Sequence, residues 1–145
     1  MAELDIVLTD TPDATDHAMI DGGLADFNAE YSDYHDKREL AVLARDKATG
    51  KTIGGTLGRT SLGLLFIDLV YLPPVLRGQD IGSRMLGMME QEAARRGCRS
   101  ATVTTISFQA PGFYERHGWR EFGRVPCDPP GTFRVFLSKT LPAGQ

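Results

Sequence analysis

The sequence predicts a mixed α/β fold, a mixed sheet with helices on both faces. Three observations predict it. Segments with strand and helix character alternate in the order β-α-(α)-β-β-β-α-β-α-β-β, so hairpins coexist with strand–helix–strand units. The most apolar run, residues 64–72, is stopped by Pro73-Pro74 and reads as a central strand covered on both faces. Ile81, Met85, Leu86, Met88, Met89 and Ala93 then form a broad apolar stripe at helical spacing.

In chain order, residues 4–8 read as a short first strand. Thr11 is a plausible N-cap with Pro12 at the first helical position, and apolar residues at 18, 20, 24, 25 and 27 fit a helical face. The polar stretch 28–36 reads as a loop or a short second helix. Residues 40–44 and 52–60 are strands joined by a hairpin turn over 46–51, with Gly50 free to take positive φ. The helix that begins near Asp80 or Ile81 carries Arg95 and Arg96 in its last turn and Gly97 just past it. Residues 101–106 form another strand and 110–117 a short helix ended at Gly118. Residues 119–125 and 132–137 read as two last strands paired antiparallel.

The 145 residues fit one domain, with 41% hydrophobic residues for a single core. No apolar run approaches the ~18–20 residues of a membrane helix. The segment Met1-Ala2-Glu3-Leu4-Asp5 lacks the basic and apolar regions of a secretory signal, and a cytoplasmic location is expected. Cys98 and Cys127 make neither a disulfide framework nor a metal-ligand spacing, so no metal is expected. Charge is polarised: residues 1–36 hold ten acidic and no basic residues, leaving 16 basic against 9 acidic in 37–145. The first part should attract cations and the remainder anions, unless the acidic part is only a solvated helix face. The basic residues are dispersed among acids, which argues against nucleic acid as partner.

At 72–83 a buried strand runs into a glycine-containing turn that opens a helix. Free N–H groups at a helix start favour an anion, Gly78 and Gly82 admit close approach, Arg77 adds a cation and Ser83 a hydroxyl. A diphosphate site and an ordinary strand-to-helix turn both fit this local chemistry. The spacing matches neither a dinucleotide fingerprint nor a P-loop.

Residues 72–86 resemble the acetyl-CoA-binding motif of the GNAT superfamily of N-acetyltransferases, Arg/Gln-x-x-Gly-x-Gly/Ala, with Arg77 at the first position, Gly82 at the last and Asp80 where the first glycine is usual. Residues 107–119 are similar to the family's late block, matching at Ala110, Phe113, Tyr114, Glu115 and Gly118, with Arg116 for Lys, Trp119 for Phe and Ser107 for Asn. The resemblance implies a GNAT-type fold with a mostly antiparallel sheet of about six to seven strands, acetyl-CoA as donor, a primary amine as acceptor and, by analogy alone, a homodimer. It implies a central strand that splays from its neighbour after Tyr71 and Leu72, whose backbone binds the donor's pantetheine arm. It also places Gly78, Gln79, Ile81, Ser83, Ser107, Phe113 and Arg116 at the donor.

Tyr114 matches the family tyrosine that can protonate the departing thiolate, or hydrogen-bond to it. Asp68, a carboxylate in an apolar strand on the face of Val70 and Leu72, is the candidate base, directly or through water; a satisfied structural carboxylate is the alternative. His35 and His17 are lesser candidates, and His117 reads as surface. Asp80 is expected to point away from the phosphates and cap the helix, contributing main chain only. The acidic first part of the chain suggests a small basic amine acceptor, with Glu30, Tyr31 and Tyr34 as substrate-binding side chains. A protein N-terminus or lysine, or a non-catalytic acyl-CoA-binding module, are the alternatives.

Overall fold

The computed structural model describes residues 3–142; Met1 and Ala2, which open the segment read as lacking a signal, lie outside the described residues. The chain divides into two compact units, Met1–His35 and Asp36–Gln145.

The first unit is built around helix α1, Ala14–Ser32. It starts at Asp13 rather than at Thr11, because Asp13 and Asp16 form a reciprocal capping box of 2.8 and 3.0 Å. The polar stretch continues the helix and ends where Asp33 turns left-handed at φ 63°. Residues 4–8 form no strand, since an extended segment needs a neighbour for its N–H and C=O groups and none pairs with this one.

The second unit carries strands β1 Arg38–Arg45, β2 Thr52–Ser61, β3 Leu64–Tyr71, β4 Ser100–Ile106, β5 Arg120–Cys127 and β6 Thr132–Thr140. Its helices are α2 Ile81–Arg95 and α3 Pro111–Arg116, with a 3₁₀ turn at Pro74–Leu76. The six-stranded sheet runs β1-β2-β3-β4-β6-β5, and its β3–β4 pair is parallel while the other neighbours are antiparallel. The mixed, mostly antiparallel sheet expected from the sequence is thus present. The predicted turn forms at Asp46, whose Oδ1 accepts the N–H of Ala48, with Gly50 at φ 73°.

Leu86, Met89 and Ala93 of α2 and Tyr114 of α3 share one core with Leu65, Ile67, Val103, Val135 and Leu137 of the sheet. Both helices of the second unit therefore pack on the same face, the core face, and period-2 alternation sends the intervening strand residues to the other face, which is open within this unit. Arg96, only 11% exposed, ties the end of α2 to the sheet by donating to the Glu39 carbonyl and to Thr60, while Glu92 neutralises it.

Candidate active site

The site begins as a fault in the sheet. The parallel ladder runs from Leu64–Ser100 to Ile67–Val103 and stops. Beyond it β3 stays with β2 as far as Tyr71, and β4 stays with β6 as far as Ile106. The two central strands thus part four residues before Tyr71, earlier than the resemblance implied, and Tyr71 and Leu72 stand at the mouth of the gap rather than its apex. A β-bulge explains the early parting. Leu57 pairs with Leu69 and Gly58 with Ile67, so Asp68 is an extra residue on β3. A bulge bends its strand and increases its twist. Gly58 permits it, because a Cβ there would strike the carbonyl oxygen of Phe66.

The gap is a cleft of about 920 Å³ lined from both faces of the sheet. Ile67, Val103 and Tyr114 line it from the core face. Tyr71, Thr104, Ile106 and Arg134 line it from the open face. Side chains from both faces of the sheet thus reach one cleft.

The core-face mouth is built on the start of α2. Arg77, Gly78, Asp80, Ile81, Gly82 and Ser83 line it. No side chain caps the helix, and its first backbone bond runs from the N–H of Arg84 to the carbonyl of Asp80. The N–H groups of the first turn thus remain for an anion. Arg77 is anchored by its Nε donating to the Leu72 carbonyl at 3.0 Å, and Arg116 adds a second cation. These residues suit the diphosphate of a coenzyme A donor.

Asp80 departs from expectation. It lines the cleft, caps nothing, and sits left-handed at φ 62°. That conformation is what glycine adopts freely, which explains why glycine is usual at this position of the resembled motif. Gln79 does not line the cleft; its Nε2 donates to the Val75 carbonyl at 3.3 Å. Ser107 does not line it either, because its hydroxyl accepts the Phe133 N–H at 3.0 Å and extends the β4–β6 ladder. Gln109 lines the cleft unforeseen, its Oε1 accepting from the Ile106 N–H and the Thr105 hydroxyl, both at 3.0 Å. His117 is no surface residue: it is half-buried, with Nε2 2.9 Å from the Ser83 hydroxyl and its ring against Phe113. A helical offset of four from Phe113 was the available signal.

Tyr114 is 5% exposed, edge-on to Phe113 and Trp119, and burial pushes its phenol up to about 12. It is thus a neutral hydrogen-bond donor at neutral pH. Asp68 is not on the face of Val70, because the bulge breaks the alternation. Val70 pairs with buried Thr56, whereas Asp68 takes the guanidinium of Arg59, which pairs opposite Phe66 and stacks on its ring at 4.2 Å. Asp68 does line the cleft, as an ion-paired carboxylate. Glu30, Tyr31 and Tyr34 belong to the first unit, the first two on α1, and His35 lies 3.7 Å from Asp26 there. Cys98 and Cys127 are unpaired, and among the described residues no His, Cys, Asp and Glu cluster could hold a metal ion.

A sheet parted beside its parallel pair, an uncapped helix start at one mouth and a buried tyrosine between define an acyltransferase of the GNAT type. Residues 8–119 match the model of the acetyltransferase (GNAT) family, and this chain belongs to that family. It is 35% identical over 122 residues to an acetyltransferase of Agrobacterium fabrum, covering 84% of this chain and 88% of that protein. It is 38% identical over 93 residues to the blasticidin-S acetyltransferase of Streptomyces morookaense, covering 63% of this chain and 68% of that one. A crystal structure from Agrobacterium tumefaciens superposes with a TM-score of 0.85 at 32% identity, covering 95% of this chain and 100% of that one.

Proposed function

We propose that this acetyltransferase moves an acetyl group from acetyl-CoA directly to a primary amine in a ternary complex, the amine being a small basic metabolite or drug-like molecule. The observation that carries this reading is the cleft lined from both faces of the sheet, through which two substrates can approach from opposite sides and meet beside Tyr114.

Acetyl-CoA supplies the activated acyl group and a thiolate leaving group. The first-turn N–H groups of α2, with Arg77 and Arg116, hold the donor's phosphates. The β3 backbone facing the gap, at Val70 to Leu72, orients the acyl carbonyl. The amine lone pair forms the new N–C bond as the C–S bond breaks, one amine proton leaves through a water to Asp68, and solvent supplies the proton that the departing thiolate takes up. Tyr114 donates a hydrogen bond to that thiolate. Full transfer from a phenol at about 12 to a thiolate whose thiol sits near 8.5 runs uphill by roughly 5 kcal/mol, so stabilisation by the hydrogen bond is the better description. Asp68, held by Arg59, takes the amine proton through water rather than by direct contact.

The acidic stretch 1–36, with Glu30, Tyr31 and Tyr34 in it, supports a basic acceptor. The similarity to a blasticidin-S acetyltransferase supports a small-molecule one. Thiol release from acetyl-CoA across amines, peptides and a protein substrate tests the reading. Turnover of small basic amines is expected. Turnover of peptides alone would make it a protein acetyltransferase, and donor binding without turnover a non-catalytic module.

A further inference from the structure

We infer that Arg134 selects acceptors that carry a carboxylate as well as the reacting amine, so that the substrate class is amino-acid-like rather than polycationic. This rests on the transferase reading above and narrows it.

The register fixes where Arg134 points. Its neighbour Val135 is fully buried in the core under α2 and α3, so Arg134 projects to the open face. It pairs across the ladder with Ile106, and both line the cleft. Arg134 therefore stands at the open-face mouth, on the side of the sheet away from Arg77, Arg116 and the start of α2. The donor's phosphates have their own cations on the core face.

The charge balance at this mouth is one-sided. Asp68 on the opposite bank is neutralised by Arg59. Within the second unit Arg134 has no carboxylate partner among the described residues. Its neighbour across the ladder from Val135, Arg124, shows the contrast: it is held by Glu121 at 2.7 and 2.8 Å and lies over Phe133. A free guanidinium presents a planar fork of donors that matches a carboxylate. A polycation entering past it would meet an uncompensated like charge. An amphoteric molecule can place its carboxylate on Arg134 while its amine reaches into the gap beside Thr104 and Tyr114.

Lysine and lysinamide test this, because they share the ε-amine and differ at the carboxylate. Each is assayed with acetyl-CoA, with N-ε-acetyl product resolved by chromatography, alongside equilibrium binding of acetyl-CoA. The wild type is expected to favour lysine by about tenfold or more in kcat/KM, mainly through KM. Arg134→Gln collapses that ratio to about one, and Arg134→Lys restores part of it. Donor affinity stays within twofold in Arg134→Gln. A wild-type ratio near one, a ratio unchanged in Arg134→Gln, or a donor affinity that falls with the substitution would each overturn the inference and leave the transferase reading standing. Absence of turnover with every amine in the earlier panel would instead overturn both.

Discussion

The Ser83 hydroxyl and His117 Nε2 lie 2.9 Å apart, joining the first turn of α2 to the end of α3. The serine expected to reach for phosphate is thus engaged with protein. Under the proposed donor site, its effect is to fix the helix start whose N–H groups would meet the phosphates. Ser83→Ala and His117→Ala are each expected to weaken acetyl-CoA about two- to tenfold by calorimetry, as loss of one hydrogen bond implies. The double variant should lose little more than either single one. Fully additive losses would show that the two side chains act separately.

Tyr114→Phe removes the donor to the thiolate and keeps the ring. A fall in kcat of about 10²-fold is expected, with KM for acetyl-CoA little changed. The phenol is pushed up to about 12, so its titration lies above the assay range and the alkaline rise of the rate belongs to the amine. The shape of the pH profile below pH 10 should survive the substitution. The same shift gives a stability window. A group whose folded pKa is raised above about 10 stabilises the fold fully below that pH, and this contribution is lost as pH climbs through about 12. Alkaline unfolding should therefore shift less steeply in Tyr114→Phe.

Asp80→Gly removes both a left-handed non-glycine residue and a carboxylate beside the proposed phosphate site. It is expected to raise stability by about 1 kcal/mol, read as a higher Tm. Acetyl-CoA should bind tighter, and more so at low salt. Weaker binding at low salt would refute the repulsion argument.

Asp68→Asn tests the base. A direct general base contributes about 10²–10⁴-fold. With the carboxylate already held by Arg59, a fall of less than about tenfold in kcat is expected. A larger fall with a lost acidic limb in the pH profile would restore Asp68 as the direct base.

Glu90 accepts from Trp119 Nε1 at 3.1 Å and from Lys139 Nζ at 2.7 Å, and Lys139 also donates to the His117 carbonyl. Glu90→Ala leaves a half-buried ammonium without its counter-charge and an indole N–H unsatisfied. A loss of about 2–3 kcal/mol is expected by denaturant unfolding, with altered Trp119 fluorescence in the folded state.

The sheet was legible because its strands carry local signals. Residues 64–72 are apolar but for Asp68, Gly50 marks the hairpin, and the α2 stripe has one period. Residues 4–8 carry the same local signal, but a strand exists only with a neighbour, and pairing is not written in the segment itself. The site was legible where it is main chain and turn: Arg77, Gly82, Phe113 and Tyr114 all line the cleft. It was obscured where one residue changes the phase. Alternation along β3 places Asp68 with Val70, and the bulge, set by the missing side chain of Gly58 on another strand, turns Val70 to the core face and leaves Asp68 beside Arg59. Arg134 depends on which strands become neighbours, so no local pattern singled it out, and His117 had only its helical offset from Phe113 to mark it.

The parallel ladder that ends at Ile67 and Val103 has a further meaning. Within the sheet, the four-pair ladder between β3 and β4 is where β1, β2 and β3 meet β4, β6 and β5. Helix α2 packs mainly on the first trio and α3 on the outer strands of the second. The sheet is thus two three-stranded halves that meet along a short seam over one shared core, and Ser83–His117 and the Glu90–Lys139 bridge are further clasps across it. A donor seated between α2 and α3 becomes another clasp. Binding and mechanical cohesion are then one property, so amides of residues 69–71 and 104–106 should slow their exchange together when the donor is added.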